Sequence, residues 1–138
     1  VRFHHLGSPE GLPAGLLQDL RALEEATAGC TGMVFHLAVN YGSRLELVNA
    51  LRRALSDGLA PEDLTEETIS ERLWTAGVPD VDLMIRTSGE QRISNFLLWQ
   101  AAYAEFYVTD CLWPDFHGPQ LLEALADYGQ RARRFGGI

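Results

Sequence analysis

Lysine is missing from this chain of 138 residues: all 11 basic side chains are arginine. Arginine usage follows genome composition as readily as function. Still, each guanidinium grips phosphate or carboxylate through paired hydrogen bonds and stays charged at any working pH. Cysteine is nearly absent. Cys30 and Cys111 stand alone, with no CxxC and no metal-ligand spacing, which reads as two reduced thiols, with a disulfide between them the less favoured alternative. His4, His5, His36 and His117 are scattered and read as structural or surface residues. No apolar run approaches the roughly 18 residues of a membrane span. No basic-then-apolar leader is visible, so the expectation is a cytoplasmic protein, at most peripheral at a membrane. There is also no excess of positive charge. A net charge of -8 argues against a general binder of nucleic acid or membrane surface. An anionic ligand must therefore be held by local charge against the average field.

What is present fits one globular domain spanning 1–138, 46% hydrophobic, without repeats, low-complexity tracts or an interdomain linker. The chain has no initiator Met and starts directly in a strand-like segment, so a piece of something longer is expected. Val1 to Leu6 reads as a strand. Leu16, Leu17, Leu20, Leu23 and Ala26 recur at helical spacing after Pro13. Met33 to Val39 is a continuous apolar run, as in a strand buried on both faces of a parallel sheet. Ser43 is placed to cap a helix carrying Leu45, Val48, Leu51 and Leu55 to a stop at Gly58. A short acidic helix over Thr65 to Leu73 follows. Then come a strand Val81 to Arg86, a polar loop, a helix Asn95 to Tyr103 and a strand Glu105 to Thr109. An aromatic turn at Leu112 to Phe116 precedes a last helix, Pro119 to Arg134. Trp99, Trp113 and Phe116 read as core. The alternation predicts an α/β fold with a mainly parallel sheet covered by helices.

Ligands of open parallel sheets bind beyond the carboxyl ends of the strands. Asn40 to Arg44, Arg86 to Ser94, and Glu105 or the loop after its strand supply polar residues there. Arg86 ends its strand, and Arg92 and Ser94 stand just before the expected helix N-terminus. Together they offer two guanidinium groups and a hydroxyl to a phosphate or diphosphate, at roughly 1.5–3 kcal/mol per charge-assisted hydrogen bond. The competing account pairs the arginines with Glu90 or other nearby acids and leaves Ser94 as a helix cap. Gly89 reads as a turn residue. Asn40 to Arg44 reads more readily as loop and cap than as an anion site. Glu105 lies among Tyr103, Phe106 and Tyr107 and needs a partner, either an arginine or a metal ion; composition alone favours the ion pair.

Three stretches carry a resemblance: Arg86-Thr87-Ser88-Gly89-Glu90-Gln91-Arg92-Ile93-Ser94-Asn95-Phe96-Leu97-Leu98-Trp99-Gln100, Tyr103-Ala104-Glu105, and Leu112-Trp113-Pro114-Asp115-Phe116. With Asn40-Tyr41-Gly42 and the ending Arg133-Arg134-Phe135-Gly136-Gly137, they resemble the signature of cis-prenyltransferases, the bacterial undecaprenyl or polyprenyl diphosphate synthases in particular. The resemblance implies an enzyme that extends an allylic diphosphate, such as farnesyl diphosphate, with isopentenyl diphosphate units, using Mg2+. It assigns Arg86, Arg92 and Ser94 to isopentenyl diphosphate and Glu105 to the Mg2+ site. Arg134 and Gly136 would reach the diphosphate site of a partner subunit in a homodimer.

The departures are equally specific. The family's Asp-Gly-Asn-Gly-Arg motif, whose Asp serves Mg2+ and the allylic diphosphate, does not occur here, and neither does its Ser-rich, Asn-Trp segment. The chain thus resembles the carboxyl-terminal half of a synthase, with the amino-terminal part of the sheet missing and the catalytic Asp outside it. By itself it is expected to be inactive. Gln91 stands where some relatives have His. Two alternatives remain open: a diphosphate-binding fragment without catalysis, and the non-catalytic subunit of a heteromeric prenyltransferase. Retention of Arg92, Ser94 and Glu105 disfavours the second.

Overall fold

Val1–Val78 and the residues from Pro79 onward pack as two units, each built on one pair of parallel strands. The structure, a computed structural model, describes residues 1–131. The expected parallel sheet is present as two two-stranded pairs.

In the first unit β1 (Arg2–Leu6) pairs in parallel with β2 (Val34–Ala38), from Arg2 opposite Val34 to Leu6 opposite Ala38. The crossover is α1 (Ala14–Thr27), as a parallel pair requires. Its side chains finish the outer edge of β1. Thr27 Oγ1 accepts from Phe3 N at 3.0 Å, and Glu24 Oε1 accepts from His5 N at 2.9 Å. Two amides that would otherwise form an open strand edge are thereby satisfied. Phe3, Leu6 and Leu20 are buried. β2 departs from expectation. Val34, Phe35 and Leu37 are 40–48% exposed, because β2 has β1 on one edge and no layer on its faces within this unit.

Gly7 makes the turn after β1. Its φ is 137°, and a Cβ there would lie 2.1 Å from Val39 O, so no other residue fits without moving the backbone. Asn40, left-handed at φ 53°, donates through Nδ2 to Ser8 O and Glu10 O and ties the loops after β1 and β2 together. α2 (Ser43–Ser56) begins with Gly42 as its N-cap, not with Ser43, which is already helical and fully buried. The buried stripe of α2 is Ser43, Glu46, Ala50 and Ala54, while Leu45, Val48, Leu51 and Leu55 face outward. Glu46, 1% exposed, is stabilised there by Tyr41 Oη donating at 2.5 Å and Trp74 N at 2.9 Å. α3 (Glu66–Ser70) is shorter than expected and opens on a reciprocal Thr65–Thr68 capping box.

In the second unit β3 (Leu83–Arg86) pairs in parallel with β4 (Glu105–Val108). α4 (Gly118–Gln130) packs on β4 through a helix whose buried residue is Ala124. It ends at Gln130, earlier than expected, with Arg131 extended after it. The helix expected over Asn95 to Tyr103 does not form. Ser94, Asn95 and Leu97 are left-handed at φ 52°, 59° and 49°, which a right-handed helix cannot contain. The segment runs instead as successive turns, among them Phe96 N to Ile93 O, Ala102 N to Trp99 O and Ala104 N to Ala101 O. Gln100 and Ala101 are nevertheless buried, and Gln100 O accepts from Val81 N at 2.9 Å. Trp113, taken as core, is 73% exposed and stacks on Phe116 with a 6.4 Å centroid separation. Both cysteines are free, and no helix among the described residues is long and apolar enough to cross a membrane.

His4 and His36 face each other across the β1–β2 register and stack at 5.3 Å, with Glu24 3.9 Å from His4 Nδ1. Burial, and then the neighbouring His4, push the His36 pKa below 6.5. As pH falls, the unfolded chain takes up this proton first. The stability contributed by neutral His36 is therefore complete above pH 6.5 and declines below it. The urea midpoint should fall between about pH 7.5 and about pH 5, and His36→Gln should flatten that slope. A slope unchanged by the substitution would rule the assignment out.

Candidate diphosphate site

The parallel ladder of β3 and β4 sets the site. Leu83 lies opposite Glu105, and Arg86 lies opposite Val108, so Arg86 and the loop after β4 share the carboxyl end of the pair. Three backbone bonds stitch the two loops: Thr109 N to Arg86 O, Gly89 N to Thr109 O and Ser88 N to Cys111 O, all at 2.9 Å. Ser88 and Gly89 turn in left-handed conformations, φ 61° and 66°. A Cβ on Gly89 would meet Asp110 Oδ1 at 2.8 Å. Asp110 was not among the residues the sequence pointed to; its position after a strand end was the available signal.

Arg86 is half-buried, and its Nε is buried with no hydrogen-bond partner among the described residues. An unpaired guanidinium nitrogen out of water is costly, and an anion placed against it recovers that cost. Arg92 is different. Its side chain is 71% exposed and forms an ion pair with Glu90, the pairing weighed from sequence as the competing account. An exposed pair of this kind is worth about 0–1 kcal/mol, so a ligand phosphate would displace Glu90 readily. Ser94 is exposed and left-handed, and no helix follows it. The expected helix N-terminus is therefore not part of this site, and the positive charge comes from the arginines alone.

Glu105 sits elsewhere. It begins β4, so the ladder places it at the amino end of the pair, three residue steps from the level of Arg86, or roughly 10 Å. The loop after β4 reaches the carboxyl end, and Glu105 does not. Its Oε2 accepts from Arg131 Nη1 at 2.9 Å, the ion pair that composition favoured. Arg131 also donates to Phe106 O at 2.9 Å and, through Nε and Nη2, to Asp127 Oδ2 at 2.8 and 2.5 Å. Hydrogen bonding to Glu105, and next to Asp127, raises the guanidinium pKa further. Asp127 was missed from sequence, although its i,i+4 spacing to Arg131 was there to be read.

The family model described as undecaprenyl diphosphate synthase matches residues 1–136. The chain belongs to this prenyltransferase family. It is 46% identical to the isoprenyl transferase of Listeria monocytogenes serotype 4b (strain F2365) over 100% of its own length and 56% of the relative's. It is 48% identical to that of Geobacillus kaustophilus, covering 100% and 55%. Among solved structures it resembles lavandulyl diphosphate synthase from Lavandula x intermedia in complex with dimethylallyl diphosphate: TM-score 0.93, 42% identity, 98% of this chain and 60% of that one. A probable undecaprenyl diphosphate synthase from Campylobacter jejuni gives a TM-score of 0.88 and 32% identity, covering 98% and 62%. The α/β fold with parallel strands is thus that of the prenyltransferases, and the chain spans a little over half the length of its curated relatives.

Magnesium is the cofactor this family implies. Among the described residues no three His, Cys, Asp or Glu side chains converge on one point. Mg2+ keeps several waters and commonly takes one or two carboxylates plus substrate phosphate oxygens. Glu105 fits as one such carboxylate and does not make a site alone, since Arg131 already holds its Oε2. Arg134 and Gly136, the two family residues of the tail, lie outside the described residues.

Gly89→Ala tests the turn that carries this site. A left-handed alanine costs about 1–2 kcal/mol, and the Asp110 carboxylate must also move. The denaturant midpoint should fall accordingly, whereas Gly11→Ala, also at positive φ but with open space around it, should cost only the backbone part. Equal losses at the two positions would exclude a close contact at Gly89.

Proposed function

We propose that the protein is a cis-prenyltransferase that condenses isopentenyl diphosphate with an allylic diphosphate to give a polyprenyl diphosphate, and that this chain supplies the isopentenyl diphosphate site. The observation that carries the reading is the buried Nε of Arg86, without a partner among the described residues, at the carboxyl end of β3 and followed by a loop bearing Arg92 and Ser94. Family membership and identities of 46–48% to isoprenyl transferases support the reaction class. The solved complex of a related synthase with dimethylallyl diphosphate supports the substrate class.

In this reading Arg86 binds the diphosphate through a guanidinium whose Nε has no hydrogen-bond partner among the described residues. Arg92 exchanges Glu90 for phosphate, and the Ser94 hydroxyl donates a further hydrogen bond. The site holds the incoming unit with its double bond toward the allylic carbon. The allylic C–O bond breaks, the diphosphate leaves, a C–C bond forms to the isopentenyl unit, and a proton is lost. Magnesium would neutralise charge on the diphosphate when bound; Glu105, at the other end of the ladder and paired with Arg131, would join its ligands only by giving up that pair. Arg134 and Gly136 would complete a diphosphate site in a partner subunit of a homodimer. The setting is cytoplasmic, with product delivered to the membrane.

Calorimetric titration with isopentenyl diphosphate tests the site. Arg86→Ala and Arg92→Ala should each weaken binding by tenfold or more, Arg86→Ala the more strongly because its nitrogen is already desolvated. Affinities equal to the parent's would sink the assignment.

The chain length relative to its relatives favours a second, narrower reading of these 138 residues as a diphosphate-binding part inactive alone. Incubated with farnesyl diphosphate, labelled isopentenyl diphosphate and Mg2+, they should bind but yield no long product. Product formation would overturn that reading.

A further inference from the structure

We infer that His4, His36 and Glu24 form a proton-operated catch in the first unit: one proton, held by His4 against Glu24, tightens the packing of α1 on the β1–β2 pair, and a second, on His36, loosens it.

Strand register builds the catch. His4 and His36 are directly opposed partners on neighbouring parallel strands, so their side chains leave the same face of the pair. Their rings stack, with 5.3 Å between centroids and 21° between planes. The two rings meet different surroundings. His4 Nδ1 stands 3.9 Å from Glu24 Oε1, with side chains 36% and 35% exposed. His36 Nδ1 is buried and has no hydrogen-bond partner among the described residues. A neutral imidazole can leave that nitrogen without a proton, whereas an imidazolium carries an N–H on both nitrogens. Positive charge on His4 therefore finds a carboxylate within reach. Positive charge on His36 buries a donor without an acceptor and faces a like charge across the stack.

Glu24 links the pair to α1. Its Oε1 also accepts from His5 N at 2.9 Å, so the carboxylate already lies along the edge of β1, and a charged His4 needs only a small ring movement to bond it. The other charged groups nearby are Arg2 on β1 and Arg21 and Glu25 on α1, all exposed to water and screened there. The His5 ring takes the opposite face of the strand, with Nε2 2.9 Å from Val39 O. Burial first, and His4 second, hold His36 below its ordinary pKa of 6.5, in the direction this arrangement requires. The neutral ring is the form the fold favours, so loosening sets in on the acid side of that value.

Two measurements on the full-length protein test the catch. The first is a double-mutant cycle of His4→Gln and Glu24→Gln, read as urea midpoints at about pH 5.5 and about pH 8, on either side of the ordinary imidazole range. Glutamine at 24 keeps an oxygen for His5 N, so the cycle isolates the charge pair. The two losses should be additive at the higher pH, and at the lower pH the double variant should lose less than their sum. Additivity at both would overturn the tightening step. The second is a pH titration of the His36 ring followed by nuclear magnetic resonance. In His4→Gln its midpoint should rise by about half a pH unit and stay below 6.5, because burial remains. His5→Gln, which removes an imidazole from the other face, should leave it unmoved. A His36 midpoint unchanged by His4→Gln, or moved equally by His5→Gln, would overturn the coupling. If His4→Gln unfolds, His4→Tyr, which keeps a ring against His36 without an imidazole charge, replaces it in both measurements with the same expected and overturning results.

Discussion

The parallel pairing of β3 with β4 is the constraint on which the second unit depends. Because Leu83 is opposite Glu105 and Arg86 is opposite Val108, one end of the ladder collects the arginine loop and the other the Glu105–Arg131 pair. Parallel strands need a long crossover, usually helical. Here residues 87–104 make it with turns, so the loop at the carboxyl end is held by backbone bonds to Thr109 and Cys111. Thr109 is the shared anchor: its amide bonds Arg86 O, and its carbonyl accepts from Gly89 N.

Electrostatics bears on the proposal that this end, and not the protein surface at large, holds an anion. The chain carries a net charge of -8, so long-range attraction works against a diphosphate. Short-range terms have to win. A buried guanidinium nitrogen without a partner is worth more to an incoming phosphate than any screened surface charge, because the desolvation has already occurred. Arg92 adds charge at small expense, its bond to Glu90 being exposed. In the proposed site the two arginines would contribute in different ways: Arg86 from the end of its strand, and Arg92 by exchanging Glu90 for phosphate.

Much of the fold was readable from residue pattern, and the misses have definite causes. The strands at Arg2–Leu6, Val34–Ala38, Leu83–Arg86 and Glu105–Val108 fall where apolar runs lie between glycine, proline and polar breaks. Apolar spacing over Phe96 to Ala102 suggested a helix, because a run of turns buries the same side chains as a helix does. The signal against it was Ser94-Asn95, residue types that tolerate left-handed φ and favour local turns. Ser43 looked like a cap because caps are read by residue type, whereas Gly42 has the extended backbone that precedes α2. The arginine loop itself was legible from its position after a strand. The partner of Glu105 was legible as a kind, an arginine, but Arg131 lies 26 residues away, and only folding brings it there.

The apolar surface carries the remaining argument. Met33 just before β2, Val34, Phe35 and Leu37 on β2, and Leu45, Val48, Leu51 and Leu55 on α2 are 40% exposed or more. A contiguous apolar run on a parallel strand is the pattern of a strand covered on both faces, and water on such a face forgoes about 25 cal/mol for each Å² left uncovered. Natural soluble surfaces rarely keep large apolar patches without a use. The residues of β2 thus describe an environment richer than the one these 131 positions provide. The outer edge of β1 shows the contrast: there Thr27 and Glu24 satisfy the strand amides from within the unit. Edge closure comes from within the first unit, whereas the faces of β2 stay open among the described residues.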